Sequence, residues 1–153
     1  MATTQFQPGH ARQAFPCYDE PSFKATFDIT IRKEQGFSPT LSNMLSQKLG
    51  EISETFRTTP VTSTYLLAFI VSHYNEVATG TDTQRPFRIY ARADAGTTGQ
   101  WSLDVGERLL KKMEEYTGIP YYTMQEQGMD MKQAAIPDFS AGAMENWGLL
   151  TYR

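Results

Sequence analysis

The first half of the chain has a hydrophobic pattern that is typical of β-strands. From Phe23 to Arg32 apolar and polar residues alternate strictly, which predicts one strand with a buried face and a solvated face. The run Tyr65–Val71 is apolar throughout and predicts either a strand covered on both faces or a short buried helical segment, which periodicity cannot distinguish. The Ser- and Thr-rich stretch between them, Gly36–Pro60, predicts loops and short strands.

A mixed pattern begins in the second half. The polar stretch Thr79–Pro86 precedes a predicted strand at Phe87–Ala93, so we place a domain boundary there, with residues 1–84 before it and residues 85–153 after it. Further on, apolar residues recur every four positions and predict an amphipathic helix that ends at Gly118 and Pro120. Its apolar stripe consists of Trp101, Val105, Leu109 and Met113, joined by Leu110 and Tyr116.

Composition and charge narrow the class of protein. The 153 residues are 40% hydrophobic and 20% charged, which is typical of a globular chain and not of a disordered one. The 14 basic and 17 acidic residues are dispersed without a basic run, which indicates no nucleic-acid partner. The N-terminus lacks the apolar core of a signal peptide, and the longest apolar run is too short for a bilayer, so we expect neither a signal nor a transmembrane segment in these residues.

Candidate catalytic and metal-binding residues are few. His10 and His73 have no acidic or histidine partner at helical ligand spacing, so the sequence predicts no metal site in this chain. Asp19 and Glu20 lie between two prolines, and we interpret them as acids that cap or pair locally in a rigid turn. Glu145, within GAMENWG, is either an ordinary loop acid or one member of a site whose other members lie elsewhere.

Several separated motifs place Glu145 in a family context. TQFQ, ARQAFPCYDEPSFKATF, STYLLAFIVS, IPDF and GAMENWG occur in that order along the chain. Together they resemble aminopeptidase N and its relatives, the zinc-dependent gluzincin aminopeptidases, and the segment ARQAFPCYDEPSFKATFDITIR most resembles the insect midgut members. The resemblance implies a β-rich plus α/β fold. Residues 1–84 would form the later part of an N-terminal β-saddle domain and residues 85–153 the start of a thermolysin-like α/β catalytic domain, both incomplete.

The resemblance also implies a substrate-binding site around Glu145. An aminopeptidase must recognise the substrate's α-amino group, whose pKa of about 8 leaves much of it cationic at neutral pH. A carboxylate can hold that ammonium by a charge-assisted hydrogen bond, so Glu145 would fix how far the scissile bond lies from the catalytic metal. The implied substrate-binding residues are Glu145, Gly142, Ala143, Met144, Asn146, Gln5 and Gln7.

The neighbours of Glu145 have side chains that suit such a site. Gly142 and Ala143 are small enough to let a substrate backbone pair with them like an added strand. Met144 is flexible and suits the lining of a pocket for the first substrate residue. Gln5 matches a family glutamine that lines the same pocket from the β domain, and Gln7 stands where relatives have glutamate or glutamine.

The remaining catalytic parts are expected outside this chain. In the family the zinc motif H-E-x-x-H, a further glutamate and the catalytic tyrosine follow the GAMEN segment. We therefore expect an internal fragment with no catalytic residue and no bound metal of its own, inactive alone, whose complete parent enzyme binds Zn²⁺. The parent would remove single N-terminal amino acids from peptides with a free N-terminus, at the extracellular face of the plasma membrane, with a lipid anchor as one option.

Two other function classes remain open. The chain could belong to a receptor ectodomain that binds bacterial crystal pore-forming toxins, a role that the resemblance to insect midgut aminopeptidases suggests. It could also be a structural domain in which the GAMEN match is accidental. Toxin binding by residues 1–84 that persists in the presence of a metal chelator would favour the receptor. A complete transcript that does not encode H-E-x-x-H would favour the structural domain.

Overall fold

Short strands dominate the first half of the chain. The computed structural model describes residues 1–124 and 129–153. The strands and helices of the first half are β1 (Ala2–Thr3), α1 (Gln7–His10), β2 (Lys24–Ala25), β3 (Thr30–Arg32), β4 (Leu41–Ser42), β5 (Ser46–Leu49), β6 (Ser53–Phe56), β7 (Thr62–Ser63) and β8 (Phe69–Val71), with 3₁₀ turns at Ala11–Gln13 and Thr64–Leu66. They form three small antiparallel sheets with strand orders β1-β8-β4, β3-β6-β5 and β2-β7.

The predicted single strand over residues 23–32 is wrong. The segment forms β2 and β3, separated by four residues without strand pairing. In the gap the Phe27 N–H donates to the Thr59 hydroxyl at 2.9 Å, so a side chain takes one bond that a regular strand would make to a main-chain carbonyl. The Phe27 and Ile29 carbonyls still accept from the Thr59 and Phe56 N–H groups.

The alternation of burial holds only from Phe27 on, where Phe27, Ile29 and Ile31 are half-buried and the polar residues between them are exposed. Phe23 and Ala25, which the pattern places on the same face, are exposed. The apolar run after it is a 3₁₀ turn followed by β8, which combines the two alternatives left open for residues 65–71.

The second half forms one mixed sheet with a crossover helix. Its five strands lie in the order β12-β13-β11-β10-β9, in which β10, β11 and β13 are parallel and the two outer strands antiparallel. β9 precedes residue 84 yet belongs to this sheet through its pairing with β10, and the domain boundary stays a prediction. The elements are β9 (Asn75–Thr79), β10 (Phe87–Ala91), α2 (Gly99–Thr117), β11 (Met131–Ala135), β12 (Ala143–Met144) and β13 (Leu149–Tyr152), with 3₁₀ turns at Ala93–Ala95 and Tyr121–Thr123.

The helix and its end are confirmed, but most of its apolar stripe is exposed. α2 ends where Gly118 adopts a left-handed conformation with φ 69°. Trp101 is 74% exposed, whereas the buried positions of the helix are Gly99, Leu103 and Gly106. A Cβ on Gly106 would lie 2.7 Å from the Phe87 ring, so the glycines set a close approach between helix and sheet. Of the apolar stripe, Leu110 packs against the core that contains Leu103, whereas Trp101, Leu109, Met113 and Tyr116 are exposed.

One hydrophobic core joins the two halves of the chain. It combines residues of β4 and β8 with residues of β11, β12 and β13, and its members are almost fully buried. Since strands from both sides of the predicted boundary share this core, the segment around Glu145 rests directly on the first half. The core consists of Leu41, Ala68, Ile70, Tyr74, Ala134, Ile136, Phe139, Met144 and Leu149.

The turn between the two prolines has the local role expected of Asp19. Its carboxylate is buried and accepts hydrogen bonds from the Arg12 main-chain N–H at 3.1 Å, from Arg12 Nε at 3.0 Å and from the Thr64 hydroxyl at 3.3 Å. Burial by itself raises the pKa of Asp19, but the hydrogen bonds and charge of Arg12, with the Thr64 bond, hold it below its ordinary value. Glu20 beside it is exposed.

Candidate functional site

The GAMEN loop, defined here as residues 142–148, begins at an open edge of the five-stranded sheet. β12 pairs with β13 on one side, and the sheet order leaves its other side without a partner strand among the described residues. The Arg153 N–H donates to the Gly142 carbonyl at 3.1 Å, so Gly142 occupies a hydrogen-bonded position of this antiparallel pair. Because such positions alternate with non-bonded ones, the N–H and C=O of Ala143 point away from β13. The edge can therefore pair with one further strand at Ala143.

A tight turn completes the loop. The Leu149 N–H donates to the Asn146 carbonyl at 3.0 Å, and Gly148 has φ 78°, as the third residue of a type II turn requires. The Asn146 side chain is buried and its Nδ2 donates to the Leu149 carbonyl and the Thr151 hydroxyl, each at 3.2 Å. Asn146 thus holds the shape of the turn from inside, and its contact with substrate stays a prediction.

Glu145 lies between the edge strand and the turn, with an exposed side chain. It borders a cavity of about 270 Å³ whose wall includes the aromatic residues Tyr65, Tyr121 and Trp147. Burial, with the nearby charge of Asp130, raises the pKa of Tyr121, so Tyr121 is a neutral phenol there. Its hydroxyl donates to the main-chain carbonyl of Asp130 at 3.0 Å. Glu145 is therefore an accessible carboxylate beside an aromatic cavity.

The two N-terminal glutamines differ in their relation to this loop. Gln5 reaches the segment that leads into the loop, where the Ser140 hydroxyl donates to Gln5 Oε1 at 2.8 Å. Gln5 Nε2 is buried and has no hydrogen-bond partner among the described residues. Gln7 is half-buried with a left-handed φ of 45°, and no hydrogen bond is recorded between its side chain and the described residues. The structure thus brings Gln5, from 135 residues earlier than Ser140, to the candidate site.

Met144 is directed away from solvent. Its side chain is 5% exposed and packs in the core shared by both halves of the chain. Its predicted role in lining a pocket for the first substrate residue stays a prediction. Gly142 and Ala143, in contrast, are exposed, and a Cβ on Gly142 would meet no atom of residues 1–124 or 129–153 within 4 Å.

Sequence reasoning missed the residues that support the loop from behind. Asn43 Nδ2 donates to the Trp147 carbonyl at 2.7 Å, and Lys132 Nζ donates to the Asn43 carbonyl at 3.4 Å. Asn43 follows β4, in the stretch that the sequence predicts as loops and short strands, and it lies 104 residues before Trp147. What distinguishes Asn43 is the burial of its polar side chain, and that burial is visible only in the folded structure.

The zinc ligands are expected outside this chain, and that expectation stays a prediction. Across residues 1–124 and 129–153, His, Cys, Asp and Glu side chains form no group of three or more that could hold a metal ion.

Comparison with known proteins identifies the family. Residues 1–66 match the peptidase M1 N-terminal domain, and residues 101–153 match the peptidase family M1 domain. The chain belongs to the M1 peptidase family. The M1 assignment agrees with the resemblance that the sequence motifs indicated, and it confirms the fold class: a β-rich N-terminal domain followed by the start of the catalytic domain.

Named aminopeptidases are among the M1 relatives of this chain. It is 70% identical to the membrane alanyl aminopeptidase of Manduca sexta, 44% identical to endoplasmic reticulum aminopeptidase 1 of Homo sapiens and 41% identical to aminopeptidase N of Oryctolagus cuniculus. Each alignment covers 100% of this chain but only 16% of the relative, so the chain spans about a sixth of their length. In the part of the chain that the structure describes, no helix has the length and apolar character needed to cross a membrane.

Proposed function

We propose that this chain is part of a zinc metallo-aminopeptidase that removes single N-terminal residues from peptides, and that Glu145 binds the substrate's α-ammonium group. The observation that carries the proposal is the pairing of an open strand edge with an exposed carboxylate. Ala143 presents its main-chain N–H and C=O to the open edge, and Glu145 follows two residues later. The Glu145 carboxylate would then bind the positively charged amino terminus of a peptide that pairs along that edge.

The chemistry of the chain end explains why a carboxylate is needed. A peptide's α-amino group is the only feature that distinguishes its first residue from all others, and it is largely cationic near neutral pH. An exposed carboxylate gains little from an ion pair in water, because the solvent screens both charges. A substrate that covers Glu145 and fills the adjacent aromatic cavity would exclude water and strengthen the charge-assisted bond.

Gln5 and the small residues complete the proposed substrate site. Gln5 Nε2 is a buried donor without a hydrogen-bond partner among the described residues. It lies close to Ser140 in the segment before the GAMEN loop and could donate to a substrate carbonyl. Gly142 and Ala143 leave the edge uncovered, so a backbone can approach it. Met144, Asn146 and Gln7 are proposed to shape this site.

The zinc dependence belongs to the proposal for the complete enzyme. M1 aminopeptidases are zinc-dependent in general, and the metal would polarise the scissile carbonyl and activate water. The residues of this chain would bind and orient the substrate's amino end, so we propose that the chain alone does not catalyse peptide hydrolysis. The division into domains 1–84 and 85–153 is also part of the proposal, and it rests on the resemblance to the family.

The location and the toxin-receptor alternative are separate proposals. Two insect relatives are named membrane alanyl aminopeptidases, which supports placing the complete protein at the extracellular face of the plasma membrane. The binding of bacterial crystal toxins is suggested by the resemblance alone, so we favour the peptidase.

The proposal is tested in the complete enzyme with the variant Glu145→Gln. A charge-assisted hydrogen bond is worth about 1.5–3 kcal/mol, so kcat/KM for a free-amine substrate should fall roughly tenfold to a hundredfold. The matched control is Glu34→Gln, an exposed acid of the first half, which should leave kcat/KM unchanged. Full kcat/KM in Glu145→Gln, or loss of bound zinc in that variant, would show that Glu145 is not the amine anchor.

A further inference from the structure

The Asn43 side chain is fully occupied by main-chain partners from two parts of the chain. It is 2% exposed, and its Nδ2 donates to the Leu66 carbonyl and to the Trp147 carbonyl, each at 2.7 Å. Its Oδ1 accepts from the Ala68 N–H at 2.8 Å. Only one orientation of the amide satisfies two carbonyls and one N–H, so the side chain is fixed in place.

The backbone of Asn43 contacts the same loop. A Cβ built on Gly148 would lie 2.1 Å from the Asn43 carbonyl oxygen, so the glycine backbone packs directly against that carbonyl. The same oxygen accepts from Lys132 Nζ at 3.4 Å, and Lys132 is paired with Asp130. Asn43 therefore contacts the GAMEN loop twice, once through its side chain and once through its main chain.

The loop residues that Asn43 contacts, Trp147 and Gly148, lie two and three residues after Glu145. The strand on the other side of Glu145 is held by pairing with β13, so the loop is fixed at both ends while the Glu145 carboxylate stays exposed. Only two peptide bonds separate Trp147 from Glu145, so a displacement of Trp147 would also displace Glu145. No hydrogen bond to the Glu145 side chain is recorded among the described residues, so its position depends on the backbone that carries it.

We infer that Asn43 is a positioning residue for substrate binding, which holds the GAMEN loop on the first half of the chain so that Glu145 meets the substrate's ammonium group. This inference rests on the proposed function. Asn43 touches no substrate in this role and acts through the Trp147 carbonyl and the Gly148 backbone. It makes substrate affinity depend on a residue that lies in the other half of the chain.

The first test compares Asn43→Ala with Ser42→Ala in the complete enzyme. Ser42 is a matched control because it is the last residue of β4, directly before Asn43, is equally buried and donates to the Ala68 carbonyl at 2.9 Å. Among the described residues its side chain makes no hydrogen bond to the GAMEN loop. Both variants should lower Tm. Only Asn43→Ala should raise KM for free-amine substrates, with kcat/KM falling about tenfold to a hundredfold, as small displacements of binding groups do.

A second variant covers the case in which Asn43→Ala does not fold. Asn43→Asp keeps the size of the side chain but, when ionised, directs a carboxylate oxygen at the Leu66 and Trp147 carbonyls. When protonated it can still donate one hydrogen bond, and burial favours that form. The ratio of variant to wild-type kcat/KM should therefore decline as pH rises from about 6 to about 9.

The outcomes separate this inference from the function on which it rests. Impaired Glu145→Gln together with an unchanged KM in Asn43→Ala, or a kcat/KM of Asn43→Asp equal to that of the wild type across that pH range, would overturn the inference and leave the proposed function intact. Full activity of Glu145→Gln would overturn the proposed function and this inference with it. Equal KM changes in Asn43→Ala and Ser42→Ala would also overturn it, because they would indicate general loosening.

Discussion

Gly148 is the position where a single methyl group should be most costly. In Gly148→Ala the new Cβ would lie 2.1 Å from the Asn43 carbonyl oxygen and 3.2 Å from its carbon, far inside van der Waals contact. The obstacle is a main-chain carbonyl, which cannot rotate away as the end of a long side chain could. The φ of 78° also lies in the left-handed region, which a residue with a Cβ disfavours.

The two costs can be added approximately. A left-handed conformation costs a non-glycine residue about 1–2 kcal/mol, and overpacking a well-filled site costs about 1–3 kcal/mol. The sum of about 2–5 kcal/mol is a large share of the roughly 5–15 kcal/mol by which a domain is usually stable. With a urea m-value of about 2 kcal/mol/M, the unfolding midpoint should fall by about 1–2.5 M.

The assay is urea unfolding of this chain followed by far-UV circular dichroism. Gly142→Ala is the matched control, since Gly142 lies in the same loop, is exposed, has no positive φ and has open space around it. Its free energy of unfolding should change by no more than about 0.5 kcal/mol. If both variants unfold at the same urea concentration, the close approach of Gly148 to Asn43 described here is incorrect.

Three further predictions concern stability. Leu103→Ala should lower the free energy of unfolding by about 2–5 kcal/mol, because Leu103 is the large buried side chain of α2. Trp101→Gln, at an exposed position of the same helix, should change it by at most about 0.5 kcal/mol. Equal effects of the two variants in thermal unfolding would contradict the assignment of the buried face. Glu54→Gln should cost about 3–5 kcal/mol, since it leaves the almost fully buried Lys33 without its counter-charge; a cost below about 1 kcal/mol in denaturant unfolding would contradict the buried pair. Because the folded-state pKa of Asp19 is lowered, the stability that its carboxylate contributes is present above the unfolded-state pKa and is lost as pH falls through the folded-state pKa. Asp19→Asn should therefore lose less stability than the wild type when the pH is lowered into the acid range. If the two proteins showed the same dependence of stability on pH, this role of Asp19 would be refuted.

Local sequence features predicted the elements whose determinants are short-range. The strand at residues 87–91, the helix at residues 99–117 and its glycine end follow from periodicity and from capping preferences, which act over a few residues. The face of the helix did not follow, because Gly99 and Gly106 decide how closely the helix can approach the sheet. Hydrophobicity patterns give weight to bulky residues and none to such glycines.

The candidate site divides in the same way. Glu145 and its small neighbours are contiguous, so a motif could identify them, and Gln5 was located through the same resemblance. Asn43 could not be predicted, because its partner Trp147 is 104 residues away and the contact exists only when β4 and the loop pack together. The break between β2 and β3 has a similar cause, since it depends on a hydroxyl from residue 59.

The most direct test of the central claim uses two inhibitors of the complete enzyme that differ only in a free α-amino group. Both should bind the zinc, and only one should contact Glu145. In the wild type the amine should improve affinity roughly tenfold to a hundredfold, as a charge-assisted hydrogen bond does. In Glu145→Gln that advantage should disappear while the amine-free inhibitor keeps its affinity. An advantage of the amine that is as large in the variant as in the wild type would contradict the account.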